Sequence, residues 1–455
     1  MDHDGFNDVS EAMRQTQSRI NELESKEHDV KIYTAWENVN FVNLENQLGN
    51  ADLYDGMTIH PYSGTVNESS DEAFLLDAMA KAQNCRNRVV NYLNQMPEDK
   101  VPAISEFGIY YNTSGRTRSQ LHALYVARCI MDYAELGSPY IQKHCLSDYY
   151  TSGADALGPT QQAVIQVVPL AGSDTATGKG NFGYFATPSA HVFQIFNAGF
   201  GTELLNSSLS QDYTLSNNVN SISVLASRDE EHNYSIAIEN ADPTNAREIQ
   251  IELPETVENA VIKAQRLESN GLADENSLTS PANVTVRTDE IQPDEDGRIF
   301  VTVQPHSFLI LRAYEPADKT ELNSLIELAK NVKTDGSAKF TDLKNRLDQA
   351  QIVSRNEFAR PALVQEKSEQ LSYALEQLLD PSLLETAVNK AETLKEASYA
   401  KADWTSLQEE LSEAKEILRT SVSQAQVNET AMELNQTLLA LRRLPDPAVL
   451  EEIRD

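Results

Sequence analysis

The chain has 455 residues, enough for two to four domains, and sets 37 Lys and Arg against 69 Asp and Glu for a formal net charge of −32. So acidic a surface repels phosphate and argues against nucleic acid or an anionic membrane as the main partner. No run of eighteen apolar residues is present to span a bilayer, and Met1-Asp2-His3-Asp4-Gly5 lacks the basic and apolar regions of a signal peptide. The three cysteines, Cys85, Cys129 and Cys145, are widely separated and odd in number, which excludes a disulfide scaffold and metal-ligand spacing and leaves them as small buried hydrophobes.

Residues 1–199 alternate short apolar runs with longer helical patterns. Strands are expected at Val30–Ala35, Gly56–His60, Pro102–Glu106 and Tyr140–Cys145. Between them, 71–95 places Phe74, Leu75, Ala78, Met79, Ala82, Cys85, Val89 and Leu93 mostly at three- and four-residue steps. Residues 117–136 repeat the pattern with Leu121, Leu124, Tyr125, Cys129 and Met131, and Gly137 supplies a stop. Strand, helix, strand, helix is the rhythm of a parallel α/β fold.

Residues 200–316 change to short strands separated by Asn, Asp, Gly and Pro, at 221–226, 234–238, 248–253, 298–303 and 308–311, the pattern of an antiparallel β-sandwich. After Pro316 the chain is helical and holds one glycine, Gly336. This part repeats: Phe340, Leu343, Leu347, Ala350 and Val353 recur as Trp404, Leu407, Leu411, Ala414 and Ile417, and Leu371, Leu375 and Leu378 as Leu434, Leu438 and Leu441. Two all-α three-helix bundles are therefore expected, 317–380 and 381–455, with the boundary near Asp380-Pro381. Trp404 and Leu438 are expected to meet inside the second bundle, as Phe340 and Leu375 inside the first, with burial mostly within each bundle and each bundle folding on its own.

The segment richest in chemistry is Val101-Pro102-Ala103-Ile104-Ser105-Glu106-Phe107-Gly108-Ile109-Tyr110. An apolar strand ends in a carboxylate followed by an aromatic. At the C-terminal face of a parallel barrel such a carboxylate suits a nucleophile that attacks a sugar carbon. An acidic strand end paired with an arginine is the other reading. His60 also closes a strand, in Ile59-His60-Pro61-Tyr62, and a neighbouring position would set it and Tyr62 beside Glu106.

Taken together, these segments resemble the clan A glycoside hydrolases, and most closely family 51, the α-L-arabinofuranosidases. His60-Pro61-Tyr62 matches a His-x-Tyr strand end, Glu106-Phe107 the nucleophile and its aromatic neighbour, and Ala186-Thr187-Pro188 through Phe193 the approach to the last barrel helix. In the sandwich, 223–229 resembles the first strand, the run with Leu267, Asn276, Pro281 and Val284 a family loop, and Gln304-Pro305-His306-Ser307 the closing turn. The helical repeats resemble FIVAR modules of secreted, wall-attached enzymes of Gram-positive bacteria.

The resemblance implies the C-terminal half of a (β/α)8 TIM barrel in residues 1–199, followed by the sandwich. It implies Glu106 as nucleophile, with His60, Tyr62, Trp36 and Glu37 at the substrate, and an arabinose-containing polysaccharide or oligosaccharide as that substrate. It implies no cofactor and no metal. It places the protein outside the cell or at the cell surface, with the C-terminal repeats at the wall. The family's acid/base is a Glu in an Asn-Glu pair on the fourth barrel strand, well over a hundred residues before the nucleophile. Only 105 residues precede Glu106 here, so the acid/base and strands one to four are expected outside this chain. Glu37, in Trp36-Glu37-Asn38, is a substitute acid or a rim residue. A half barrel would leave open strand edges and an exposed apolar interior, and the chain inactive alone. A non-catalytic carbohydrate-binding or spacer protein, and a xylosidase-like clan A enzyme, are the alternatives.

Overall fold

The computed structural model describes residues 51–109, 115–148, 162–174, 177–211, 213–216, 219–254, 260–332, 338–377, 381–420 and 424–444, with scattered positions from 11 to 49 that include 31–34 and 37. Trp36, Tyr110, Gly336 and Asp380 lie outside the described residues. The chain forms two compact units, Met1–Tyr314 and Glu315–Asp455.

The first unit begins with a parallel sheet of β1 (Tyr33–Thr34), β2 (Gly56–Ile59) and β3 (Val101–Ile104), in that spatial order. Helix α1 (Asp71–Leu93) connects β2 to β3, and α2 (Gln120–Glu135) follows β3. Ser70 caps α1 by accepting from the Ala73 amide, and Asp71 and Glu72 complement the helix dipole in its first turn. Phe74, Leu75, Ala78, Met79, Ala82, Cys85 and Val89 form its buried stripe. Gly137 ends α2 with φ of 79°, a left-handed value that favours glycine.

One expectation needs correction. The run 140–145 is not a strand: it meets β3 only at the parallel bridge Ile104↔Ile141, because Gln142, Lys143 and His144 offer polar, unbranched side chains where a strand needs packing surface. The strands that follow are β4 (Ser147–Asp148), β5 (Ile165–Pro169) and β6 (Phe182–Ala186), β5 parallel to β4 and antiparallel to β6, before α3 (Pro188–Asn197). Met57, Ile59, Ala103 and Ile104 are fully buried, and the larger three share one core with α1 and α2.

The sandwich comprises β7 (Glu203–Leu205), β8 (Ile222–Arg228), β9 (Tyr234–Asn240), β10 (Arg247–Ile251), β11 (Val261–Glu268), β12 (Thr285–Glu290), β13 (Ile299–Val303) and β14 (Ser307–Tyr314). Six of them form one antiparallel sheet ordered β12-β11-β14-β9-β8-β7, and β10 pairs with β13 in the second. Every residue of β9 and β14 is buried, since the large sheet is covered on both faces. Ile236, Ile238, Leu309 and Leu311 pack toward Ile299, Val301 and Val303 of β13. Ala237, Phe308 and Ile310 belong instead to the core of α1, α2 and α3, where Phe196 stacks on Phe308 at 5.4 Å.

Arg128 of α2 and Glu239 of β9 form a buried ion pair at 2.5 Å across that junction. One turn further along α2, burial pushes the Asp132 carboxyl up to about 7, with Arg128 and Arg86 opposing the shift. The native state therefore keeps a proton that the unfolded chain releases near its ordinary value of about 4. Stability of this unit should fall as pH rises from about 4 to 7, by at most about 1.4 kcal/mol per pH unit from this group. Asp132→Asn should flatten that fall, measured by urea denaturation across the range; an unchanged slope would show that Asp132 does not carry it.

The second unit holds α4 (Thr320–Lys330), α5 (Ala338–Arg355), α6 (Pro361–Glu376), α7 (Ser382–Glu392), α8 (Lys401–Thr420) and α9 (Gln424–Ala440). Equivalent positions are buried in both sets of three, among them Leu343 and Leu407, Ala350 and Ala414, and Leu371 and Leu434. Packing is mostly within each set of three, as expected, and one apolar core also runs through all six helices. Helix α9 packs as extensively on α4 as on α7, and Ser324 Oγ donates to the Met432 carbonyl at 3.2 Å. Trp404 is half-buried, packs against that core as Leu438 does, and stacks on Tyr399 at 6.1 Å. Leu434→Ala should cost about 2–5 kcal/mol. Hydrogen exchange should then accelerate in α4 as well as in α7; acceleration confined to 382–440 would restore two independent bundles.

Candidate active site

The register of β2 and β3 builds the site. Ile59 pairs with Ile104, which sets His60 beside Ser105. Beyond the sheet Tyr62 bridges Gly108. Three steps along one chain, from 59 to 62, thus face four along the other, from 104 to 108. The extra residue bends the backbone as a bulge does, and such bulges re-aim side chains next to active sites. Glu106 lies within that bend.

Tyr62 Oη donates to Glu106 Oε2 at 2.6 Å, and His60 Nδ1 lies 3.9 Å from the same oxygen. His60 Nε2 is 2.7 Å from Ser105 Oγ, so one hydroxyl fixes the ring beside the carboxylate. The Glu106 side chain is 38% exposed and that of His60 23%, an open polar site and not a deep pocket. Phe107 points the other way, fully buried and edge-on to Tyr133 at 5.8 Å. A phenol holding one carboxylate oxygen fixes the plane of the group and leaves the second oxygen for bond formation.

Glu37 does not reach Glu106 directly. It accepts from the His60 amide at 3.0 Å and from Tyr92 Oη at 3.4 Å. The structure thus brings together Glu106, His60 and Tyr62, and places Glu37 behind them. Sequence reasoning missed Ser105, Arg88 and Gln162. Arg88 Nη2 donates to the carbonyls of His60 and Tyr62 at 3.2 and 3.4 Å. Gln162 is buried and exchanges two hydrogen bonds with the Ile109 backbone, at 2.7 and 2.6 Å. The available signal for Gln162 was Gly108, where a Cβ would stand 2.3 Å from Gln162 Oε1. No group of His, Cys, Asp and Glu among the described residues forms a metal site.

Residues 164–307 match the family model of the Alpha-L-arabinofuranosidase C-terminal domain. Among solved structures, the thermostable family 51 α-L-arabinofuranosidase of Thermotoga petrophila RKU-1 is similar at a TM-score of 0.52 and 13% identity, covering 69% of this chain and 63% of that one. The α-L-arabinofuranosidase of Thermotoga maritima, in complex with arabinose, gives 0.51 at 13% identity with the same coverage. The family 51 arabinofuranosidase of Xanthomonas axonopodis pv. citri gives 0.46 at 14% identity, covering 62% and 57%. The chain thus spans less than two thirds of the length of these enzymes. A search of curated protein sequences finds no relative. The first unit therefore has an arabinofuranosidase-like fold, with a sandwich of the matched type.

Gly108→Ala should displace Gln162 and leave its buried amide unpaired, costing about 1–3 kcal/mol. Chemical denaturation would register the loss; wild-type stability would show that Gln162 moves aside freely.

Proposed function

We propose that the chain carries the nucleophile half of a retaining α-L-arabinofuranosidase acting on arabinose-containing polysaccharides or oligosaccharides. The observation that supports this reading is the 2.6 Å hydrogen bond from Tyr62 to Glu106, with His60 beside it, at adjacent ends of parallel strands. In this reading a Glu106 carboxylate oxygen forms a bond to the anomeric carbon while the glycosidic C–O bond breaks. The electron pair leaves with the aglycone oxygen, which takes a proton from the acid/base. Water then hydrolyses the glycosyl ester, with the acid/base accepting its proton. Retaining enzymes set these two carboxyl groups about 5–5.5 Å apart. The acid/base is supplied from outside this chain, so unactivated aryl arabinofuranosides are turned over negligibly by it alone. The same reading puts the enzyme outside the cell, with the helical unit as its contact to the wall.

An aglycone that leaves without protonation separates attack from acid catalysis. A 2-deoxy-2-fluoro arabinofuranoside of dinitrophenol should release one equivalent of dinitrophenolate and leave the sugar on the peptide that contains Glu106. Glu106→Gln should release none. Tyr62→Phe should slow labelling about 10–100-fold, the value of a hydrogen bond to a charged group. Label on another residue, or none, would falsify the nucleophile assignment. Faster labelling by the xylosyl analogue would reassign the sugar, and sugar binding with no label would favour a non-catalytic binding protein.

A further inference from the structure

The residues around Glu106 are themselves held by groups that touch neither the carboxylate nor its partners' reactive atoms. Glu37 has a left-handed backbone, φ 47°, uncommon for a residue with a Cβ and found where surrounding structure enforces it. Its amide donates to the Thr58 carbonyl at 2.9 Å, which docks it on β2. From there its carboxylate takes the His60 amide and the Tyr92 hydroxyl of α1. Arg88, one helical turn before Tyr92, grips the same segment through the carbonyls of His60 and Tyr62. An anion therefore holds the segment by an N–H, and a cation holds it by two carbonyls.

We propose that Glu37 and Arg88 are positioning residues that clamp His60-Pro61-Tyr62 and so fix the Tyr62 hydroxyl on Glu106. This rests on the nucleophile reading above, and it assigns Glu37 neither the acid role nor a sugar contact. The segment leaves β2 at Ile59, where the ladder ends, and Pro61 has no amide to donate. Among the described residues, sheet pairing beyond Ile59 is the Tyr62↔Gly108 bridge, joined by the Tyr62 amide on the His60 carbonyl, so the side chains add to a short backbone restraint.

The test joins two readouts on the full chain. Hydrogen exchange in the peptide 58–64 reports the clamp itself. Covalent labelling of Glu106 by the dinitrophenyl fluoro-sugar, measured against its concentration, reports the consequence. Glu37→Ala and Arg88→Ala should each accelerate exchange at least tenfold and lower the maximal labelling rate at least tenfold, with half-saturation little changed. Glu37→Gln keeps an acceptor for the His60 amide and should restore both. In a Tyr62→Phe background Glu37→Ala should slow labelling no further, since the contact it positions is already gone.

Unchanged exchange in both alanine variants overturns the clamp. So does faster exchange with an unchanged labelling rate, or a weakened half-saturation with unchanged exchange, which would make Glu37 a sugar contact. Should Arg88→Ala fail to fold, the Glu37→Ala and Glu37→Gln pair decides alone. If the wild-type chain does not label at Glu106, the nucleophile reading fails. Exchange then still tells whether Glu37 and Arg88 hold the segment.

Discussion

The register between β2 and β3 is the constraint from which the site follows. A one-residue slip would turn every side chain of a strand to the opposite face. Here the Ile59↔Ile104 pairing is locked because both side chains, with Met57, are wholly buried in the core of α1 and α2. With that pairing fixed, the only freedom left beyond the ladder is the path of two chain ends. The extra residue before Gly108 takes it up by bending, and the bend turns Glu106 toward Tyr62 and His60 while Phe107 anchors in the core. Gly108 is required because Gln162 fills the space a side chain would need.

Of the two helices that lock the register, α2 is also cemented to the sandwich. Its contacts with β9 and β14 are supplemented by Arg128 and Glu239, each costly to bury alone and tolerable as a pair. Arg312 of β14 donates to the Ile195 carbonyl at the end of α3 and to Gln265 of β11. Asn276 ties the loop after β11 to the Ala186 carbonyl of β6. Polar groups so placed act only at one relative position of sheet and helices. They explain why the parallel sheet with its helices and the sandwich form one compact unit.

Legibility in the sequence followed the strength of periodic signals. Helix α1 could be read almost to the residue, because its apolar stripe, Ser70 cap and acidic first turn agree with one another. Strand β5 was missed, since Ile165-Gln166-Val167-Val168 is short and does not alternate. Strands β11 and β12 were missed because their residues alternate weakly: β12 is exposed at five of six positions. Glu106, His60 and Tyr62 were visible because each closes or follows an apolar run. Arg88 was not, since a basic residue within a helical pattern carries no mark of what its guanidinium reaches. Glu37 was visible as a carboxylate, but its role depends on which backbone amide lies opposite, a fact of register and not of spacing.

In the helical unit the pattern was read correctly, and what it did not show is the contact between the two repeats. A recurring apolar spacing establishes which face of each helix is buried, yet it is silent on which neighbour covers that face. Domains of about 60 residues bury only about 60% of the surface of the unfolded chain and are marginal for this reason. Sharing α9 between α4 and α7 gives both halves one larger core, and the buried Ser324, with its hydroxyl on the Met432 carbonyl, is satisfied only across that shared contact. The repeat is thus a unit of sequence whose apolar faces also contribute to one core shared by all six helices.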